Sequence, residues 1–310
     1  MERKLLIAID GSVYSSNSLH YLERLFAGMT DIRIHLLSVI PCYTSQVAKE
    51  WFGEHDLLGT LSKEEQKGYA AANRYLKQAV ERLARNNISS EQISTEIKIT
   101  AASPADEIIS IARNGMFDAL VIGRRGISKL EELIMGTVSG TVFEKCHDIP
   151  IWIVDGQVDS RKFLLPVDGS HFTLQAADHL SFILKDNPYA EVTLFYSAAM
   201  FAQKQELSIE YCKRYLASDW CTAHIHDKDF YFLAPRQMLI NSGFSPERIH
   251  LLETKAGMYP SRQIVRQAVI DDFGTIVIGR RGKEIKRGVF GSVTEKVVAM
   301  SLNAAVWVVG

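Results

Sequence analysis

Residues 118–137, DALVIGRRGISKLEELIMGT, hold glycines and a threonine in the pattern G-x2-G-x9-G-T. The chemistry such a pattern can do is to grip an anion with backbone amides. Gly123, after an apolar run, lets the chain leave a sheet with φ unrestricted and no side chain in the way. Gly126 keeps the next stretch bare, so amides can approach a ligand closely. Gly136 and Thr137 then open a helix around 137–147, whose N–H groups and positive dipole end form an anion site, with the Thr137 hydroxyl as a further donor. Arg124, Arg125 and Lys129 bring positive charge, and Glu131 and Glu132 oppose it. A diphosphate or triphosphate fits this set. A plain turn between strand and helix is the commoner use of such glycines taken alone.

The second motif is IDGS at 9–12 in KLLIAIDGS. Asp10 there can close an Asx turn or cap a helix, with Gly11 permitting the turn, or it can hydrogen-bond a nucleoside. The motif leaves both open. No G-x4-G-K-[ST] loop, G-x-S-x-G elbow or H-E-x-x-H pair occurs, and no evident general base accompanies the glycines. The sequence therefore reads as a binder and not an enzyme, with any hydrolysis slow or dependent on a partner.

Both motifs occur twice. KLLIAIDGS at 4–12 returns as KFLLPVDGS at 162–170, DALVIGRRG at 118–126 as GTIVIGRRG at 274–282, and MGTV at 135–138 as FGSV at 290–293. The offsets are 158, 156 and 155 residues, so order and spacing are both kept. This is a tandem duplication. It divides the 310 residues into domains at 1–156 and 157–310, joined by a short hinge at 155–162. The copies differ in detail. The second glycine pattern is G-x2-G-x8-G-S, one residue shorter, and SVTE at 292–295 has the capping-box form, which occupies Ser292 with its own helix. Position 140, the counterpart of Glu295, is glycine.

The elements that must position these residues alternate. Apolar, β-branched runs at 4–9, 32–40, 93–100, 118–123 and 150–154 enclose helical patterns at 69–85 and 104–114. The latter opens on SPADE, with Ser103 as N-cap and Pro104 at the first helical position. Strands apolar throughout are buried on both faces, as in parallel sheets. The expectation is α/β, with two tandem doubly wound domains. The copies diverge most at 41–63, which contains Trp51 and Phe52, and at the longer aromatic segment 198–232.

A formal net charge of −1 gives no global field to recruit nucleic acid or an anionic membrane, so neither partner is expected. The basic run 279–288 lacks aromatic interleaving and reads as an anion-lined or solvated loop. No apolar run is long enough for a signal peptide or membrane span, which points to the cytoplasm. The cysteines Cys42, Cys146, Cys212 and Cys221 include no C-x-x-C pair and read as reduced thiols. Cys221, His224, His226 and Asp227 form C-x2-H-x-H. Zinc sites show a second ligand pair, so a solvated loop or helix face is favoured and no metal site is assigned.

Taken together, AIDGS and PVDGS, the two VIGRRG strands and G-x2-G-x9-G-[ST] resemble the universal stress protein family in its tandem form, over essentially the whole chain. The resemblance implies five-stranded parallel sheets of order 3-2-1-4-5 flanked by helices, with a ligand crevice at the switch between strands one and four. It implies ATP or a related adenine nucleotide as ligand, with or without Mg. Asp10 would hold the nucleoside beside the backbone of Val39 and Ile40. Gly123, Arg124, Gly126, Gly136, Thr137 and Val138 would surround ribose and phosphates. The matching second-copy positions are Asp168, Gly279, Arg280, Gly282, Gly291, Ser292 and Val293. Ile151–Val154 and Val306–Val309 would dock the copies as an internal pseudo-dimer, with a homodimer as a further association. The functional expectation is a nucleotide-responsive stress protein with a protein partner yet to be identified. The alternatives are a nucleotide-free scaffold and a slow ATPase.

Overall fold

The computed structural model describes residues 2–42, 61–125, 135–185, 187–200, 207–254, 257–280 and 292–310. The chain divides into two compact units, Met1–Ile149 and Pro150–Gly310. In the first unit β1 (Arg3–Ala8), β2 (Ile32–Pro41), β3 (Ile93–Thr100) and β4 (Ala119–Gly123) are all parallel, in the order β3-β2-β1-β4. Leu5, Leu6 and Ile7 of β1 and Ala119, Leu120 and Val121 of β4 are wholly buried, as central parallel strands require. Between the strands lie α1 (Val13–Phe26), α2 (Lys63–Arg85) and α3 (Pro104–Asn114), and α4 (Thr137–Lys145) follows β4.

Helix α2 begins six residues before the expected position 69, because Ser62 and Glu65 close a capping box. The Ser62 hydroxyl accepts the Glu65 N–H at 3.2 Å, and the Glu65 carboxylate accepts the Ser62 N–H at 2.8 Å. Helix α3 starts as read, on the Ser103 cap with Pro104 behind it.

In the second unit β6 (Lys162–Val167), β7 (Glu191–Ser197), β8 (Ile249–Thr254), β9 (Thr275–Gly279) and β10 (Ala305–Val309) are parallel in the order β8-β7-β6-β9-β10, the full 3-2-1-4-5 arrangement. The connections contain α5 (His171–Leu184), α6 (Ile209–Tyr215), α7 (Ser218–His224), α8 (Phe230–Asn241), α9 (Pro260–Ile270) and α10 (Val293–Met300). The described part of the aromatic segment 198–232 thus contains α6, α7 and the start of α8.

Strand β5 (Ile151–Val154) belongs by its contacts to the second unit, where it pairs antiparallel with β10. Trp152 stands directly opposite Trp307, and their rings stack at 3.9 Å and 4°. The compact units therefore divide one strand before the 156/157 boundary read from the repeats. The hinge expected at 155–162 is tied down. Val158 is 2% exposed, the Ser160 hydroxyl donates to the Asp272 carbonyl at 2.6 Å, and the Asn303 N–H donates to the Asp155 carboxylate at 3.2 Å.

His179 of α5 accepts the Trp152 indole N–H at 3.0 Å and meets both tryptophan rings edge-on. Burial pushes its pKa down to about 3, so the ring is neutral. In the unfolded chain it protonates near pH 6.5. The folded value is the lower one, so the stability this arrangement contributes is complete above about pH 6.5 and is lost as the pH falls towards 3. Urea unfolding at pH 7.5 and 5.0 is expected to show a fall approaching about 1.4 kcal/mol per pH unit below pH 6.5. His179→Gln, which keeps an acceptor for Trp152, removes that component. An equal pH slope in the variant contradicts it.

The reading of four reduced thiols is corrected. Cys212 and Cys221 form a disulfide that joins α6 to α7, with both residues fully buried. Two cysteines nine apart give no C-x-x-C signal, and it is the turn between two short helices that brings them together. The disulfide also takes the sulfur from the C-x2-H-x-H cluster, and His224 stacks instead on Trp220. Cys42 and Cys146 are buried and form no disulfide among the described residues. Closing a loop this short is worth about 2–3 kcal/mol. Cys212→Ser is therefore expected to lower the urea midpoint of the oxidised protein, and dithiothreitol to reproduce the effect in the wild type but not in the variant.

Candidate functional site

The candidate residues of the first repeat gather at the C-terminal ends of β1, β2 and β4, the crevice end of a doubly wound sheet. Asp10 follows β1 and is half-buried. Its Oδ1 accepts the Ser12 N–H at 3.0 Å and the Ser15 hydroxyl at 2.5 Å, and the Ser15 Oγ accepts the Asp10 N–H at 3.0 Å. Ser12 caps α1. The Asx-turn geometry is thus present at Oδ1, with Gly11 at φ +76° making the turn. Val39 and Ile40 lie half-buried near the end of β2, in register with Lys98 and Ile99 of β3.

Gly123 ends β4 against the start of α1. A Cβ there would stand 2.9 Å from Tyr14 Cβ and 3.1 Å from its backbone carbon, so the close approach requires glycine. The Gly123 carbonyl accepts the Ser139 hydroxyl at 2.7 Å, and the Gly136 N–H donates to the Arg124 carbonyl at 2.9 Å. These two bonds join the end of β4 to the start of α4. Arg124 is buried, 2% exposed, and Arg125 Nε has no hydrogen-bond partner among the described residues. Gly126, Lys129, Glu131 and Glu132 lie outside the described residues.

Helix α4 starts on Gly136 with no side-chain cap bond. Thr137 is the first helical residue, and Thr137 and Val138 are exposed. First-turn amides that no side chain caps carry the positive end of the helix dipole. The second repeat has the same frame with a different helix start. Asp168 Oδ1 accepts from Ser170 N–H and Thr173 Oγ1, both at 2.9 Å, and Thr294 Oγ1 donates to the Gly279 carbonyl at 2.9 Å. Gly279 abuts Phe172, whose carbonyl oxygen would be 2.4 Å from an added Cβ. Arg280 is buried and Val293 is 41% exposed. Ser292 caps α10 in the capping box read from the sequence: its hydroxyl accepts the Glu295 N–H at 3.1 Å, and Glu295 accepts the Ser292 N–H at 3.0 Å. A carboxylate therefore occupies the helix start that, among the described residues, no side chain caps in the first repeat. Gly282, Gly291 and the basic run from 281 lie outside the described residues.

Several site residues were missed in the sequence. Ser15 and Thr173 hold the aspartates, and Ser139 and Thr294 hold the glycine carbonyls; DGSVYS/DGSHFT and GTVS/GSVT carried that signal. Tyr75 of α2 had no such signal. Its ring lies 2.6 Å from the position of a Gly11 Cβ, and its hydroxyl is 2.5 Å from Ser38 Oγ. Burial first, then the charge of Asp10, raise the phenol's pKa, while the Ser38 bond lowers it. In the second repeat Tyr196 packs on Tyr231 at 4.2 Å, and burial followed by Glu253 and Asp229 pushes Tyr231 up to about 12.

The universal stress protein family matches residues 1–155 and again 160–309. A Bacillus subtilis protein named universal stress protein YxiE is 27% identical over 158 residues, 50% of this chain and 99% of that protein. Among solved structures, a universal stress protein from Archaeoglobus fulgidus is 18% identical with a TM-score of 0.64, covering 99% of this chain and 97% of that one. A functionally unknown protein from Pseudomonas aeruginosa PAO1 has 17% identity and a TM-score of 0.53, covering 99% and 92%. At these identities the two structures show the fold. The family matches carry membership, and the chain belongs to the universal stress protein family, as a tandem of two of its domains.

Proposed function

We propose that the chain binds ATP or a related adenine nucleotide in its first repeat and acts as a nucleotide-responsive stress protein whose occupancy alters its partners. The observation that carries this is the contrast between two equivalent helix starts. Helix α4 opens on Gly136, which offers no side-chain cap, and no described residue supplies one, whereas α10 is closed by Ser292 and Glu295. An uncapped helix start beside a glycine-ended strand suits a phosphate group. In this reading Asp10, with the backbone of Val39 and Ile40, holds the nucleoside. Gly123, Arg124, Gly126, Gly136, Thr137 and Val138 surround ribose and phosphates, with or without Mg. The second set, from Asp168 to Val293, is an altered copy, because the Glu295 carboxylate repels the anion that its counterpart attracts.

A nucleotide-free interaction protein is the second reading, favoured by the engagement of Asp10 Oδ1 within its own loop. The tandem of two family domains supports reading the chain as an internal pseudo-dimer, with the compact units dividing between residues 149 and 150. Among the described residues no helix is long and apolar enough to cross a membrane, and a cytoplasmic location is part of this proposal. Protein purified without added nucleotide, denatured and analysed by mass spectrometry, is expected to release adenine nucleotide. No released nucleotide, together with no uptake of added ATP in equilibrium dialysis, contradicts the reading.

A further inference from the structure

We propose that Tyr75 is the base-reading residue of the first-repeat site, selecting purine over pyrimidine nucleotides; this rests on the reading of that site as a nucleotide site. Tyr75 is carried on α2, which is fixed to α1 by Arg82. The Arg82 guanidinium donates to both Glu23 carboxylate oxygens, at 2.7 and 3.0 Å, and to the Ser16 hydroxyl at 2.6 Å. Two helical turns before Arg82, on the same face, Tyr75 reaches the crevice end of the sheet.

One aromatic ring there touches both chain segments assigned to the nucleoside. It lies on Gly11, in the loop that carries Asp10. Its hydroxyl is bonded to Ser38, buried at 1% exposure and directly before Val39 and Ile40. The ring is half-buried, so a surface remains for a ligand. The Ser38 bond holds it in one orientation, and the raised phenol pKa keeps it neutral at physiological pH. A fixed, uncharged ring beside a strand end is a stacking surface, and the larger purine gains more from it than a pyrimidine does.

The second repeat has lost this arrangement. Ala8 pairs with Leu37 in β1/β2, and Pro166 with Phe195 in β6/β7, which puts Tyr196 at the position of Ser38. Tyr196 spends its ring on Tyr231, and Glu253 stands opposite it where the first repeat has Ile97. The hydroxyl pair is replaced by an aromatic pair with a carboxylate beside it.

The test measures binding of ATP, GTP, CTP, UTP and inorganic tripolyphosphate to the full chain by equilibrium dialysis. Tyr75→Ala is expected to weaken ATP and GTP by about 10- to 100-fold while tripolyphosphate changes little, so that the purine preference disappears. Tyr75→Phe, which keeps the ring, restores the preference. If Tyr75 is a structural strut only, Tyr75→Ala weakens all five probes alike or none, and the proposal is overturned while the nucleotide reading survives. A wild-type chain that binds none of the probes overturns both.

Discussion

Trp307→Ala is expected to lower the unfolding free energy of the second unit by about 3–5 kcal/mol. Trp307 is wholly buried in β10, stacked on Trp152 at 3.9 Å and edge-on to Phe163 at 5.4 Å. Truncation removes one of the two large apolar rings at the β5/β10 pairing and leaves a cavity that backbone-paired strands cannot collapse to fill. Its indole N–H has no hydrogen-bond partner among the described residues, so Trp307→Phe abandons no polar group and should cost far less. Trp152 differs, because its N–H is bonded to His179 and its loss leaves that ring's acceptor buried and unpaired. Urea denaturation of the three variants orders them: Trp307→Phe least affected, Trp307→Ala and Trp152→Ala both severely. Equal stabilities for Trp307→Ala and the wild type would show that the stack contributes nothing.

Gly140→Glu transfers to the first repeat the carboxylate that Glu295 supplies in the second. A Cβ at Gly140 meets nothing within 4 Å, so the substitution has room. Removing a helical glycine stabilises α4 by roughly 0.5–1 kcal/mol, and an acid in the first turn complements the helix dipole. The same charge opposes a phosphate at the same amides. A loss of about 1.4–3 kcal/mol in binding, roughly 10- to 150-fold in Kd, is therefore expected beside an unchanged or raised Tm. Stability and affinity moving in opposite directions distinguishes a phosphate site from a merely structural turn, for which both would rise or stay level.

The strands, the duplication and the Ser292 capping box were legible because each is written locally: apolar runs, recurring DGS and GRRG, and S-x-x-E. The pairing of β5 with β10 was expected from the family resemblance, but the place of β5 in the second compact unit was not, since IPIWIV reads as the last strand of the first copy and only its antiparallel partner, far along the chain, groups it there. The Cys212–Cys221 disulfide depends on how two short helices turn, which composition does not encode. At the site, Asp10 and the glycines were visible as motifs. Tyr75 and Ser38 were not, because their pairing is made by the distant Arg82–Glu23 bond that sets where α2 lies.

In the proposed function one of two duplicated crevices retains the chemistry for a nucleotide. Isothermal titration of the nucleotide-stripped chain with ATP tests it most directly, with Gly140→Glu titrated in parallel. One ATP per wild-type chain is expected, and none, or far weaker binding, in the variant. Two equivalent sites per chain, or a Gly140→Glu protein that binds as tightly as the wild type, would contradict it.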